Sequence, residues 1–153
     1  MLTLSEMNQN SFNLYMSSAI ETFASEKIKN GTWDKENAIS NSKKQYDELL
    51  PYGLETPNNY FYDILNKDHI IGYIWIAKSQ DNNATAFIYD FEIYEKFQNM
   101  GYGSDSINLI SIKAKELGFS SLALHVFGKN SRAIHVYTKT GFEITDINMQ
   151  KKL

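Results

Sequence analysis

Residues 98–104 read Gln98-Asn99-Met100-Gly101-Tyr102-Gly103-Ser104, and a helical pattern follows directly. Glycine loses more conformational freedom on folding than any other residue, so a pair here suggests close approach to the backbone. The first N–H groups of a helix lack partners and carry partial positive charge, which suits a phosphate or pyrophosphate. Two familiar phosphate patterns fail: the spacing is not GxxxxGK[ST], and Ser106 leaves GxGxxG incomplete. On spacing alone, a tight strand-to-helix turn is an equal reading.

A second group could move protons. Asp90 and Glu92 interrupt an otherwise apolar run, and alternation sets both on one face, with Phe87, Tyr89, Phe91 and Ile93 on the other. Two acids inside such a strand are costly unless partnered, by a Lys or Arg of a covering helix or by a functional role. His125 stands in "SSLALHVF", opposite Leu122, Leu124 and Val126. An imidazole, with its ordinary pKa of ~6.5, could serve as a base, or sit satisfied in a covered strand. Tyr137 shares a helical stripe with Ala133 and Ile134, where a core aromatic is the plain reading. Its phenol, with an ordinary pKa of ~10, would be an available proton donor at neutral pH. Trp75, Tyr60, Tyr52, Phe12, Tyr15 and Trp33 are core residues by default, and candidates for lining an acceptor pocket. His69 and His135 earn no role. Lys129 and Arg132 flank Asn130 as solvated surface, or within reach of a phosphate.

Composition narrows the chemistry. With no cysteine, thiolate, disulfide and iron–sulfur chemistry is excluded, and three scattered histidines speak against a metal site. A net charge of −3 leaves no basic footprint for nucleic acid. No apolar run approaches the ~18 residues of a membrane span and no signal pattern opens the chain, so a cytoplasmic protein is expected.

The elements that must position these residues follow from periodicity. The first third reads as two helices. Phe12, Tyr15, Met16, Ala19, Ile20 and Phe23 form the stripe of the first, which stops at Asn30–Gly31. The second begins at Asp34 or Asn37 and ends at Pro51. Three strands follow, "NYFYDIL", "HIIGYIWIAK" and "ATAFIYDFEIYE", with "NKD" as a hairpin turn and "SQDNN" as a polar turn. A helix from Ser104 to Gly118, the strand "SSLALHVF", a short helix capped by Asn130 or Ser131 and a last strand "FEITDINMQKKL" complete the order. A helix between two strands demands a crossover, so the long strand and "SSLALHVF" should be parallel. The fold class is α/β (α+β): a mixed, mostly antiparallel sheet with helices on both faces.

Two stretches together carry a resemblance. Gln98 to Gly103 fits Gln/Arg-x-x-Gly-x-Gly/Ala, and Asn130, Ala133, Tyr137, Gly141 and Phe142 fit a later signature in order. The chain thus resembles the GNAT superfamily of acetyl-CoA-dependent N-acetyltransferases, closely from Ala84 onward and, before that, in element order and the strand "IIGYIWI".

The resemblance implies a single domain over 1–153, with an acceptor-side helical region at 1–55 and an acetyl-CoA-binding core at 84–142. In that fold one parallel pair splays around the cofactor. Backbone groups of Phe91, Glu92 and Ile93 would pair with the pantetheine arm like an added strand. Gln98, Asn99, Met100, Gly101, Tyr102, Gly103 and Ser104 would cradle the pyrophosphate, with Ser104 and Asp105 also capping the helix. Asn130 would bond the pantetheine arm, with Ala133 and Tyr137 beside it. Tyr137 would protonate the departing thiolate, and Glu92 or His125 would deprotonate the amine. Some N-terminal acetyltransferases of the superfamily carry a catalytic glutamate at the place of His125. A bulge common in the long strand would turn one acid to the other face.

The expected reaction is direct transfer from acetyl-CoA to an amine of a small molecule or peptide, without a metal, nucleic acid or membrane. A backbone N–H of the long strand would meet the oxyanion, and the negative protein favours a cationic acceptor. A homodimer stays open. The rivals are a non-catalytic acyl-CoA sensor of the same fold and an unrelated phosphate-ligand protein.

Overall fold

The alternating stretches become a five-stranded sheet, ordered β1-β2-β3-β4-β5, in a computed structural model that describes residues 1–153. The strands are β1 (Leu2–Glu6), β2 (Asn59–Asn66), β3 (His69–Lys78), β4 (Thr85–Ile93) and β5 (Ser121–Leu124). The helices are α1 (Gln9–Lys29), α2 (Ala38–Leu49), α3 (Tyr102–Glu116) and α4 (Ser131–Lys139). The chain divides into two compact units, Glu6–Tyr62 and Met1–Ser5 with Asp63–Leu153.

Within Glu6–Tyr62, Asn8 caps α1 by accepting from the Ser11 N–H at 2.9 Å, and Gly31 stops it in the left-handed conformation at φ 77°. The expected stripe is half right: Phe12, Tyr15 and Ala19 are buried, Met16 and Ile20 only half so. Phe12 meets Phe61 edge-on with centroids 4.9 Å apart, and Phe23 meets Trp33 at 5.4 Å. α2 begins after Asn37, whose side chain makes no capping bond. Asp34 instead closes the preceding turn: its carboxylate accepts from the Asn37 N–H at 2.9 Å, and these bonds hold it below the usual carboxylate range. The buried Ser42 hydroxyl donates to the Ile20 carbonyl at 2.8 Å, tying the two helices together.

In the other unit, β2 and β3 turn through Lys67–Asp68, with Lys67 left-handed at φ 56°. β3 and β4 are antiparallel from Gly72↔Ile93 to Lys78↔Ala86. β4 and β5, joined through α3, are parallel from Thr85↔Ser121 to Ile88↔Leu124, as the crossover requires. Ile64, Ile71, Ile74, Ile76, Ala86, Ile107 and Ile110 are fully enclosed.

Three expectations need correction. The first element is a strand, not a helix: Leu2-Thr3-Leu4 alternates, and Leu2 is buried. β5 ends at Leu124 rather than Phe127, because the ladder to β4 that sustains it stops at Ile88. Residues 142–153 form no strand, and Ile144, Ile147, Met149 and Leu153 are exposed. A strand exists only where a neighbour takes up its backbone bonds, and no ladder reaches this segment.

Candidate active site

β4 changes character at one residue. Ile76 pairs with Ile88 but Trp75 pairs with Asp90, so Tyr89 is an extra residue, a β-bulge. Directly opposed residues share a face, so Ala77, Trp75 and Tyr73 assign Phe87, Asp90 and Glu92 to one side of the sheet. The bulge precedes both acids and therefore separates neither from the other. It shifts the aromatics instead: Phe87 joins the acids' face rather than opposing it. Tyr89 stacks on Trp75 at 4.8 Å and meets Phe87 edge-on at 5.1 Å. Phe91 and Ile93 keep the opposite face, as expected.

The bulge is also where the sheet opens. Leu124 is the last residue of β5, paired with Ile88, while β4 runs on to Ile93. Over Phe91, Glu92 and Ile93 the side of β4 away from β3 has no strand beside it. Glu92 is exposed, and its Oε2 accepts from the Tyr73 hydroxyl at 2.8 Å.

Just beyond β4, the Gln98 side-chain amide donates to the Ile93 carbonyl at 2.8 Å and pins the following loop to the strand end. Asn99 and Gly101 are both left-handed, at φ 63° and 82°. Gly101 is the N-cap of α3, and no side chain caps that end. The helix begins at Tyr102, two residues earlier than expected. Ser104 and Asp105 therefore lie inside the first turn and are not its caps, a correction with a consequence. The leading amides of α3 keep their donors for something outside the helix. A Cβ on Gly103 would meet nothing within 4 Å, and its φ is not left-handed, so the fold itself does not require glycine there. Ser106 Oγ is buried without a hydrogen-bond partner. A donor-rich, uncapped helix start with open space above its glycine fits a pyrophosphate.

α4 approaches the same loop. Arg132 donates through Nη2 to Asn99 Oδ1. Asn130 caps α4, its side-chain oxygen accepting from the Ala133 N–H at 3.2 Å, as one of the two expected caps. Gly141, left-handed at φ 101°, ends the helix, and the Phe142 N–H returns to the Tyr137 carbonyl at 2.9 Å. The Phe142 ring meets that of Tyr137 edge-on at 5.6 Å. Tyr137 is half-buried, and burial pushes its phenol above the ordinary value, so it stays protonated. His125 falls past the end of β5, exposed, with its ring edge-on to Phe127 at 5.0 Å. It occupies no strand face, contrary to the alternation argument.

Residues 25–142 match the model of the acetyltransferase (GNAT) family. The uncharacterised N-acetyltransferases YycN and YdgE of Bacillus subtilis are 38% and 34% identical to this chain, over 99% of it and 99% and 98% of their own lengths. The chain belongs to the GNAT acetyltransferase family. The crystal structure of YycN superposes with a TM-score of 0.86 at 37% identity, covering 100% of this chain and 99% of that one. The structure of AAC(6')-Iy in complex with the bisubstrate analog CoA-S-monomethyl-acetylneamine shares the fold, with a TM-score of 0.60 at 12% identity over 100% and 98% of the two chains.

In this GNAT acetyltransferase the sequence-derived residues fall into three places. Phe91–Ile93 lie on the open half of β4, Gln98–Ser104 in the loop and first turn of α3, and Asn130, Ala133 and Tyr137 on α4. Sequence reasoning missed two neighbours on β3, Gly72 and Tyr73. Their signal was a Gly-Tyr pair inside an otherwise apolar strand.

Proposed function

We propose that this acetyltransferase moves the acetyl group of acetyl-CoA directly to an amine of a small molecule or peptide, with Glu92 as base and Tyr137 as acid. The observation behind it is the open half of β4, continuous through a glycine loop with an uncapped helix start. Acetyl-CoA supplies the activated thioester. The amides of Tyr102, Gly103 and Ser104 would receive its pyrophosphate, and the β4 backbone at Phe91–Ile93 its pantetheine amides, in the manner of an added strand. The CoA-containing analog held by AAC(6')-Iy agrees with CoA as the group this fold accommodates.

The acceptor arrives as an ammonium and has no lone pair. Glu92 accepts its proton, and the freed nitrogen attacks the thioester carbonyl carbon, whose oxygen is met by a β4 N–H. As the C–S bond breaks, the electron pair leaves with sulfur and the Tyr137 hydroxyl protonates it. Burial of that phenol keeps the proton available throughout the neutral range. Glu92 is favoured over His125 because it lies on the open strand half, whereas His125 lies beyond the sheet. A negative chain with Asp90 and Glu92 on one face suits a cationic acceptor.

The test is acetyl-CoA consumption over polyamines, aminoglycosides, amino acids and peptide N-termini, with Glu92→Gln and His125→Ala beside the wild type. Glu92→Gln should lower kcat on the order of 10²-fold or more, with acetyl-CoA affinity retained. Wild-type turnover in Glu92→Gln would remove it as the base. Binding of acetyl-CoA without turnover of any amine would mark the protein as a sensor.

A further inference from the structure

Ile70 to Ile76 reads as a plain apolar strand, yet its Gly72 and Tyr73 both bear on one residue of the neighbouring strand. Gly72 stands opposite Ile93, and Tyr73 opposite Glu92. A Cβ on residue 72 would lie 2.1 Å from the Glu92 carbonyl oxygen and 3.1 Å from its carbonyl carbon. Real Cβ contacts are essentially never so short, and here the obstacle is backbone, which cannot swing aside. Gly72 has no left-handed φ to explain it. It is glycine because the main chain of β4 comes in at Glu92 closer than any side chain allows.

Tyr73 then holds the other end of the same residue. Its hydroxyl donates to Glu92 Oε2 at 2.8 Å, and its ring leans on Tyr94 with centroids 6.2 Å apart. Glu92 is exposed while Tyr73 is half-buried, so the tyrosine is the fixed partner. A free glutamate side chain has up to ~2 kcal/mol of rotamer entropy to lose on being ordered. A base that samples many rotamers is seldom within reach of the proton it must take. One hydrogen bond to Oε2 removes much of that freedom and leaves Oε1 outside that bond. Burial, then the charge of Asp90 and the bond to Glu92, raise the Tyr73 phenol far above its ordinary value, so it remains a donor.

We propose that Tyr73 is a positioning residue for the acetyl transfer: on a strand seated by Gly72, its hydroxyl aims the Glu92 carboxylate at the incoming ammonium. This rests on Glu92 as the base.

The experiment compares full-length wild type, Tyr73→Phe, Glu92→Gln and the double variant. Three readouts are taken: acetyl-CoA affinity by titration, kcat and KM on a panel of spermidine, kanamycin, lysine and an alanyl peptide, and crystal structures of wild type and Tyr73→Phe with coenzyme A. Tyr73→Phe should lower kcat about tenfold and leave acetyl-CoA affinity within about twofold, because phenylalanine keeps the ring and removes only the bond. In the Glu92→Gln background the same change should cost almost nothing further, since the two act as one unit. The crystal structures should show an unchanged β4 backbone and a displaced or disordered Glu92 carboxylate. Wild-type kcat in Tyr73→Phe, an equal loss in both backgrounds, or a carboxylate that stays in place would each overturn the proposal. Full turnover in Glu92→Gln is a different pattern: it would bring down the base assignment, and the proposal with it. Should none of the four amines react, the position of the carboxylate decides.

Discussion

The two halves of β4 share one strand and little else. From Thr85 to Ile88 it is an interior strand, hydrogen-bonded to β3 on one side and β5 on the other, with Ala86 and Ile88 buried. From Tyr89 onward it keeps β3 and loses β5, and its side chains include two acids. One inserted residue separates the regimes. The first half needs packing, and its residues are dictated by the space they fill. The second half has no strand on its far side and exposes Glu92, while Ile93 and Tyr89 still pack. A bulge lets one strand serve as scaffold and then, in the proposed mechanism, as site, without a change of direction that would need a loop.

That contrast can be broken from either side. The largest effect should come from Gly103→Glu. A carboxylate in the open space above the α3 amides should reduce acetyl-CoA binding below detection in a titration, with a folded protein by circular dichroism. Gly103→Ala is the finer version. Replacing glycine within a helix should stabilise by up to ~1 kcal/mol, raising Tm slightly, while acetyl-CoA affinity falls about tenfold. A rise in stability together with a loss of binding would show that this glycine serves the ligand and not the fold.

Ile88→Ala attacks the other half. Truncating this buried residue should cost about 2–4 kcal/mol and lower Tm by several degrees in a melt, with kcat of the folded fraction within about twofold. A kcat loss comparable to that of Glu92→Gln would mean that the two halves are not separable. His125→Ala, outside both, should change kcat by no more than about twofold.

The smallest effect is in the pH dependence of stability. Burial raises the Tyr137 phenol above its unfolded value of ~10. Its contribution is therefore fully present below pH ~10 and is lost as pH rises through the higher folded value. Melts between pH 8 and 11 should show a shallower alkaline decline in Tyr137→Phe than in wild type.

The paired half of β4, the hairpin, α1, α3 and the parallel crossover were legible because periodicity and turn residues report them directly. The bulge was not, since it obeys no local rule: strict alternation assigned Phe87 and Tyr89 to the wrong side of the acids. The limits of β5 and of residues 142–153 were invisible for a related reason. Both depend on where a partner strand ends, which is information held elsewhere in the chain. Gln98, Gly101 and Gly103 were legible as a group but not in their separate duties. Only geometry shows that Gln98 fastens the loop, that Gly101 bends it and that the fold itself places no demand on Gly103. Tyr73 escaped because a tyrosine in an apolar strand reads as core, and its significance lies in the residue across from it.

The missing Cβ of residue 72 has a practical consequence for anyone wishing to retune this enzyme. Saturation libraries aimed at new acceptors would naturally include β3, since it lines the acids' face. Position 72 would yield almost only misfolded clones, because every replacement pushes into the main chain of Glu92. Trp75 and Ala77, which share the acids' face, are buried too, so changes there would cost packing. Residue 72 is better treated as part of the backbone than as a variable.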